Sequence, residues 1–327
     1  MLLRPSFTPQ AQTFEKLARS DHDIYLLPED SVRSVQPIDL RIADLGQVKL
    51  AYVEAGSGEP VVFVHGIPTD YRAWNSQIGP FSGKYHAIAY SRRLAQPNQN
   101  TTDYEKSTVE TNSGDLVGLI EELGIAPVHL VGHSYGGFAS AYCASTNPQL
   151  IRTFTLIEPA VSTILLKNLK SKSEFLALFL AHPSVAVSAA KFQRNSLDPS
   201  LKAFRQGDFD AALRYNLDGI MNRHGAFENF PEPVRTMVKE NGRTVGELTA
   251  EVPVFGREEA SKISAPTLLI HGTESPAVLH AIVDRLGKAI PKSEVSTISG
   301  AAHFPHFEKP QEFNQLVLGF LSKHSSN

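Results

Sequence analysis

Cysteine is almost absent from this 327-residue chain. Cys143 stands alone, so no disulfide can form within it, and a reducing, cytoplasmic setting is the expectation. The opening MLLRPSFTPQ places Arg4 and Pro5 where a signal peptide needs its apolar run, so no secretory leader is expected. Long hydrophobic stretches are missing too, and nothing approaches the roughly 18 consecutive apolar residues that cross a bilayer. An excess of one charge is also lacking. The 31 basic and 34 acidic residues leave a net charge of −3 and are interspersed, which gives no field to gather nucleic acid or an anionic membrane. The expected partner is a small molecule, with no nucleic acid and no membrane. No H-E-x-x-H or Cys/His ligand pattern occurs among the 12 histidines, so neither a metal nor an organic cofactor is expected.

What is present is enough apolar sequence, 42% of residues, to bury a large core. Three β-rich runs precede residue 95: VKLAYVE (48–54), PVVFVHG (60–66) and YHAIAYS (85–91), each closed by glycine or polar residues. Helical spacing follows over 107–123, with Val109, Leu116, Val117, Ile120 and Leu123 near one face and Gly124 as the stop. The alternation continues through VHLVGHS (128–134), a helix over 136–146, RTFTLIEP (152–159), APTLLIHG (265–272) and SEVSTISG (293–300). Strands alternating with helices in this way predict an α/β fold, a mostly parallel central sheet with helices on both faces. Between residues 161 and 256 the strand signal vanishes. Pro183, Pro199, Pro231, Pro233 and Pro253 cut that interval into short helices, which reads as a helical cap inserted after the sixth strand. The expected organisation is an N-terminal arm (1–36), a core (37–160 and 257–327) and the cap (161–256).

Gly132-His133-Ser134-Tyr135-Gly136 matches G-x-S-x-G, in which glycines flank a strained turn that exposes a serine between a strand and a helix. The strand candidate VHLV before it and the small-residue helix GFASAYCAST after it supply that setting and make Ser134 the candidate nucleophile. A tetrahedral intermediate there would be held by two backbone N–H groups, one following the nucleophile and one from the loop after an earlier strand. Those are Tyr135 and Ile67, the latter in His65-Gly66-Ile67-Pro68 directly after VVFV. Serine needs a base to take its proton. His303, in the loop just after SEVSTISG, holds the expected place, with His306 the rival three residues on. Gly66, His133 and the only tryptophan, Trp74, are candidates for the pocket wall, Trp74 equally for the core.

From HGIPTDYRAW through GHSYGG to GAAHFPHFEKPQEF, over roughly residues 40–323, the chain resembles the α/β-hydrolase superfamily. HGxP, a downstream tryptophan and a helical insertion look like its capped branch of haloperoxidase-like esterases, zearalenone-type lactonases and, in fold only, haloalkane dehalogenases. Those dehalogenases use an aspartate where this chain has Ser134, so the resemblance implies acyl transfer to serine and not their alkyl-ester chemistry. It also implies an aspartate in a G-x-x-D context after the seventh strand. Here that stretch is Gly272-Thr273-Glu274-Ser275, and a serine holds the site. Two carboxylates can replace the missing acid. Glu158, ending TLIE before Pro159, matches the placement in some dehalogenases and zearalenone-type lactonases and is preferred. Glu274, one position early, is the alternative, although a one-residue shift at a strand end turns a side chain to the other face.

The function expected is therefore hydrolysis of a small carboxylic ester or lactone through an acyl-enzyme on Ser134. Carbon–carbon bond hydrolysis, perhydrolysis and a hydrolase-derived small-molecule receptor are the alternatives. Arg92 and Arg93 are expected to hold the loop after YHAIAYS, and Asn241 to serve a turn.

Overall fold

The computed structural model describes residues 39–98, 103–168 and 170–325; the expected N-terminal arm, residues 1–36, lies outside them. Eight strands, β1 (Arg41–Asp44), β2 (Lys49–Ala55), β3 (Pro60–Val64), β4 (His86–Tyr90), β5 (Val128–His133), β6 (Ile151–Ile157), β7 (Thr267–Gly272) and β8 (Ser293–Ile298), form one sheet in the order β1-β2-β4-β3-β5-β6-β7-β8. The β1–β2 and β2–β4 pairs are antiparallel and the rest parallel. β1 is one strand more than the sequence pattern suggests. Its four residues, RIAD, bury only Ala43, and so short an edge strand carries no readable alternation.

The central strands read as unbroken apolar runs because both their faces are covered. Along β3, Val62 and Val64 join Leu116, Phe138 and Leu156 in the main core, while Phe63 between them turns to Trp74 and Phe81 on the opposite face. The core helices after β3, β4 and β5 are α1 (Asn75–Ser82), α2 (Val109–Glu122) and α3 (Ser134–Thr146). Thr108 caps α2 by accepting the Thr111 N–H at 3.2 Å, and Gly124 beyond its end takes φ +62°. Its buried face is Val109, Leu116, Leu119 and Ile120, whereas Val117 and Leu123 are only half buried. In α3, Gly136, Gly137, Ala139 and Ser140 are all buried. Their small size brings that helix close to the sheet.

Between β6 and β7 the described segments form no strand. Here lie α4 (Lys172–Ala181), α5 (Pro183–Phe192), α6 (Asp198–Arg205), α7 (Phe209–Ile220) and α8 (Glu232–Glu240), then a 3₁₀ segment over Gly242–Thr249. Proline placement explains the breaks. Pro183 opens α5, Pro199 lies in the first turn of α6, and Pro231 and Pro233 frame the start of α8. The chain returns through α9 (Arg257–Ser261) to β7, then α10 (Ala277–Ala289), β8, α11 (Pro305–Glu308) and α12 (Pro310–Ser322). Among the described residues, no helix is long and apolar enough to cross a membrane.

Candidate active site

The C-terminal ends of β5, β6 and β8 deliver the three side chains that the sequence singles out. Ser134, between β5 and α3, sits at φ 52°, a left-handed conformation that a non-glycine residue holds only when its surroundings enforce it. The neighbouring glycines show how. A Cβ on Gly136 would lie 2.1 Å from the His65 carbonyl oxygen, and one on Gly66 would lie 2.8 Å from Ser134 Cβ. The turn and the His65–Ile67 loop therefore pack backbone to backbone, leaving Ser134 8% exposed.

His303 Nε2 lies 2.9 Å from Ser134 Oγ, and its Nδ1 lies 2.8 Å from Glu158 Oε2. A carboxylate can only accept, so Nδ1 carries the proton and Nε2 is left as an acceptor for the serine hydroxyl. Glu158 is fully buried and, like Ser134, holds a positive φ, 41°. Its other oxygen, Oε1, accepts the Gly272 N–H at 2.9 Å and the Ser275 hydroxyl. Ser275, standing where the resemblance leads one to expect an aspartate, thus donates its hydroxyl to the Glu158 carboxylate. Glu274 does not reach the site. It is exposed, with its N–H donated to the Ala301 carbonyl at 2.9 Å; the one-residue offset turns its side chain outward.

The loop carrying His303 is held from below. The Glu308 carboxylate accepts the N–H groups of Ala302 and Phe304 at 3.1 Å, and the His133 ring hydrogen-bonds the His303 carbonyl at 2.8 Å. His133 is 1% exposed, and that bond places it in the scaffold behind His303. Trp74 is wholly buried and stacks on His306 with ring centroids 4.5 Å apart, the core placement that the sequence allowed equally. His306, the rival base, spends its ring on that stack. Burial pushes His303 well below the ordinary histidine pKa and Glu158 above the ordinary carboxylate range, the latter offset by the Ser275 and Gly272 hydrogen bonds.

Of the two expected backbone donors, Tyr135 is next to Ser134 in the chain and Ile67 is next to Gly66, which packs against Ser134. Tyr135 is in the first turn of α3, whose N–H groups have no intrahelical acceptor. Ile67 follows Gly66, and the Gly66 carbonyl accepts the His65 ring Nδ1–H (2.8 Å), the Thr69 hydroxyl (3.0 Å) and the Thr69 N–H (3.2 Å). A trans peptide points its N–H away from its C=O, so anchoring this carbonyl fixes the direction of the Ile67 N–H.

Sequence reasoning missed several buried polar residues around this centre. Arg92 does hold its loop, but through Glu247 of the insertion, with which it makes two hydrogen bonds of 2.8 Å. Arg93 is paired bidentately with Asp115. Asn241 does more than serve a turn: fully buried, it donates to Asp70 Oδ2 at 2.7 Å and accepts the Gln96 N–H at 2.8 Å. Nothing local marks Glu247, because its partner lies 155 residues away.

A mostly parallel eight-stranded sheet with a Gly-His-Ser-Tyr-Gly turn at the end of β5 and a helical insertion after β6 defines an α/β hydrolase. The chain belongs to the alpha/beta hydrolase family, whose model matches residues 61–316. It is similar to a 2-hydroxy-6-oxononadienedioate/2-hydroxy-6-oxononatrienedioate hydrolase of Paraburkholderia xenovorans, 24% identical over 287 residues that cover 85% of this chain and 92% of that one. It is also similar to epoxide hydrolase A of Mycobacterium tuberculosis, 27% identical over 325 residues that cover 86% and 97% of the two chains. Among solved structures, an N-acyl homoserine lactone degrading enzyme shares the fold with a TM-score of 0.56 at 22% identity, over 86% of this chain and all of that one.

Proposed function

We propose that this hydrolase cleaves a carboxylic ester or lactone of a small molecule through an acyl-enzyme on Ser134. The observation that carries the reading is the continuous hydrogen-bonded line Ser134–His303–Glu158, with both His303 bonds under 3 Å. His303 takes the Ser134 proton as Oγ attacks the acyl carbon, and Glu158 stabilises the imidazolium that forms. The N–H groups of Ile67 and Tyr135 receive the developing oxyanion. His303 then returns the proton to the leaving alkoxide, and water, deprotonated by the same ring, hydrolyses the acyl-enzyme. The serine at the nucleophile position speaks for this chemistry over epoxide opening by a carboxylate. The test is turnover of short-chain p-nitrophenyl esters and lactones by the full chain and by Ser134→Ala. The wild type is expected to release a burst of p-nitrophenol and the variant none; activity retained by Ser134→Ala would sink the proposal.

Similarity to the 2-hydroxy-6-oxononadienedioate hydrolase supports a second reading, carbon–carbon bond hydrolysis on the same three residues. It predicts slow turnover of aryl esters and fast turnover of a vinylogous diketone.

A further inference from the structure

Arg92 and Glu247 are 1% and 0% exposed at their side chains. A buried ion pair of this kind contributes little net stability over apolar residues of the same shape, so its surroundings bear on why it is here. One branch runs to the loop that carries Ile67. The Arg92 N–H donates to His65 Nε2 at 2.9 Å and its Nε–H to the His65 carbonyl at 3.0 Å. With Nε2 accepting, the His65 proton sits on Nδ1, where it is donated to the Gly66 carbonyl at 2.8 Å. That carbonyl belongs to the peptide whose N–H is Ile67's. The other branch runs to Tyr135. Ser107 donates its hydroxyl to Glu247 Oε1 at 2.6 Å and accepts the Tyr135 hydroxyl on its carbonyl at 2.9 Å. The Arg92 guanidinium also lies 4.9 Å over the Tyr135 ring. Asn112 closes the network, accepting from Arg92 at 3.1 Å and donating to Ser107 Oγ at 3.0 Å.

We infer that Glu247, carried by the helical insertion, is a positioning residue that sets both backbone donors facing Ser134, Ile67 through Arg92 and His65 and Tyr135 through Ser107. The insertion is thereby tied to the rate of the chemical step. This rests on the acyl-transfer reading above. The geometry predicts a specific signature, since donors turned away from the oxyanion lose affinity for the tetrahedral state and not for planar ligands.

The experiment compares wild type, Glu247→Gln and Ser107→Ala as full chains on a p-nitrophenyl ester that the wild type turns over. Each is also titrated with an aryl boronic acid, which forms a tetrahedral adduct on serine, and with the planar carboxylate product. Glu247→Gln is expected to lose about 10- to 100-fold in kcat, in line with displaced oxyanion donors, with KM within about twofold. Boronate affinity should fall by a similar factor and carboxylate affinity hold. The charge left on Arg92 would by itself favour an oxyanion, so a fall in kcat reports geometry and not charge. Removing a buried partner can also unfold the protein. Ser107→Ala, which deletes only a neutral hydroxyl, then decides, with a smaller loss of the same pattern expected. Wild-type kcat in either folded variant, or boronate and carboxylate affinities that fall together, would overturn the inference. A wild type with no Ser134-dependent turnover or boronate binding would overturn the acyl-transfer reading itself, and this one with it.

Discussion

Replacing Glu158 by Gln tests the site where it departs most from its family. The carboxylate is fully buried and accepts three hydrogen bonds, from His303 Nδ1, the Gly272 N–H and the Ser275 hydroxyl. A glutamine fits the same volume but has an NH₂ group and one acceptor oxygen. With Gly272 and Ser275 both donating to Oε1, the glutamine oxygen takes that place and its NH₂ faces His303. Nδ1 must then accept, the ring proton moves to Nε2, and Nε2 cannot take the proton of Ser134 2.9 Å away. A histidine locked in the wrong tautomer, without a carboxylate to stabilise its cation, costs about 10³- to 10⁴-fold in kcat, or about 4–5.5 kcal/mol of transition-state stabilisation. Stability should hardly fall, because burial already makes this carboxylate costly and raises its pKa to about 7. The assay is kcat and KM on a p-nitrophenyl ester, with circular dichroism and a melting curve for each variant. Exposed Glu274 is the control, and Glu274→Gln should stay within about twofold of wild type. A folded Glu158→Gln within tenfold of wild-type kcat would refute this reasoning.

Three further outcomes follow from the same geometry. The Ser275 hydroxyl lowers the Glu158 pKa, so Ser275→Ala should move the acid limb of kcat/KM upward by about one pH unit, the worth of one hydrogen bond to a charged group; an unmoved limb would show that Ser275 does not govern the pair. His65, His133, His303 and His306 are buried and held neutral, with pKa values below the ordinary 6.5. The unfolded chain binds these protons and the folded one does not, so stability is full above about pH 6.5 and is lost as pH falls below it. The raised carboxyls of Glu158 and Glu308 oppose this, leaving a net loss on the order of a few kcal/mol by pH 5; urea titrations at pH 7.5 and 5 check it, and equal midpoints would contradict it. Gly136→Ala puts a methyl 2.1 Å from the His65 carbonyl oxygen and should destabilise by at least about 3 kcal/mol, read from the urea midpoint; a shift under 1 kcal/mol would mean that the turn is loosely packed.

Much of the architecture was legible because it is written locally. Each of β2 to β7 is a largely apolar run closed by turn residues, β8 (SEVSTI) mixes polar and β-branched residues before Gly300, and the prolines at 183, 199, 231 and 233 stand at helix starts in the insertion. The serine turn is also local, since strand, glycine, serine, glycine and small-residue helix are contiguous. His303 was placed by its position after the last strand. Trp74, left open between pocket wall and core, and His133, a candidate for the wall, are residues whose surroundings come from elsewhere. Trp74 packs on His306 and Phe313, more than 200 positions along the chain, and His133 reaches the carbonyl of His303, 170 away.

The sequence by itself determined the succession of strands β2 to β8, the strained serine turn and the histidine loop, because these depend on backbone preference and hydrophobic period over a few neighbouring residues. It also showed that the usual acid was missing. Only the tertiary structure decided which carboxylate answers the histidine. That choice depends on β6 and β7 lying side by side, so that Glu158 just past the end of one meets Gly272 at the end of the other and Ser275 just beyond it, 114 and 117 positions along the chain. The same holds for Glu247. A buried charge is tolerable only where its partners converge, and that convergence of Arg92, Ser107 and Asn112 from separate elements exists only once the chain has folded.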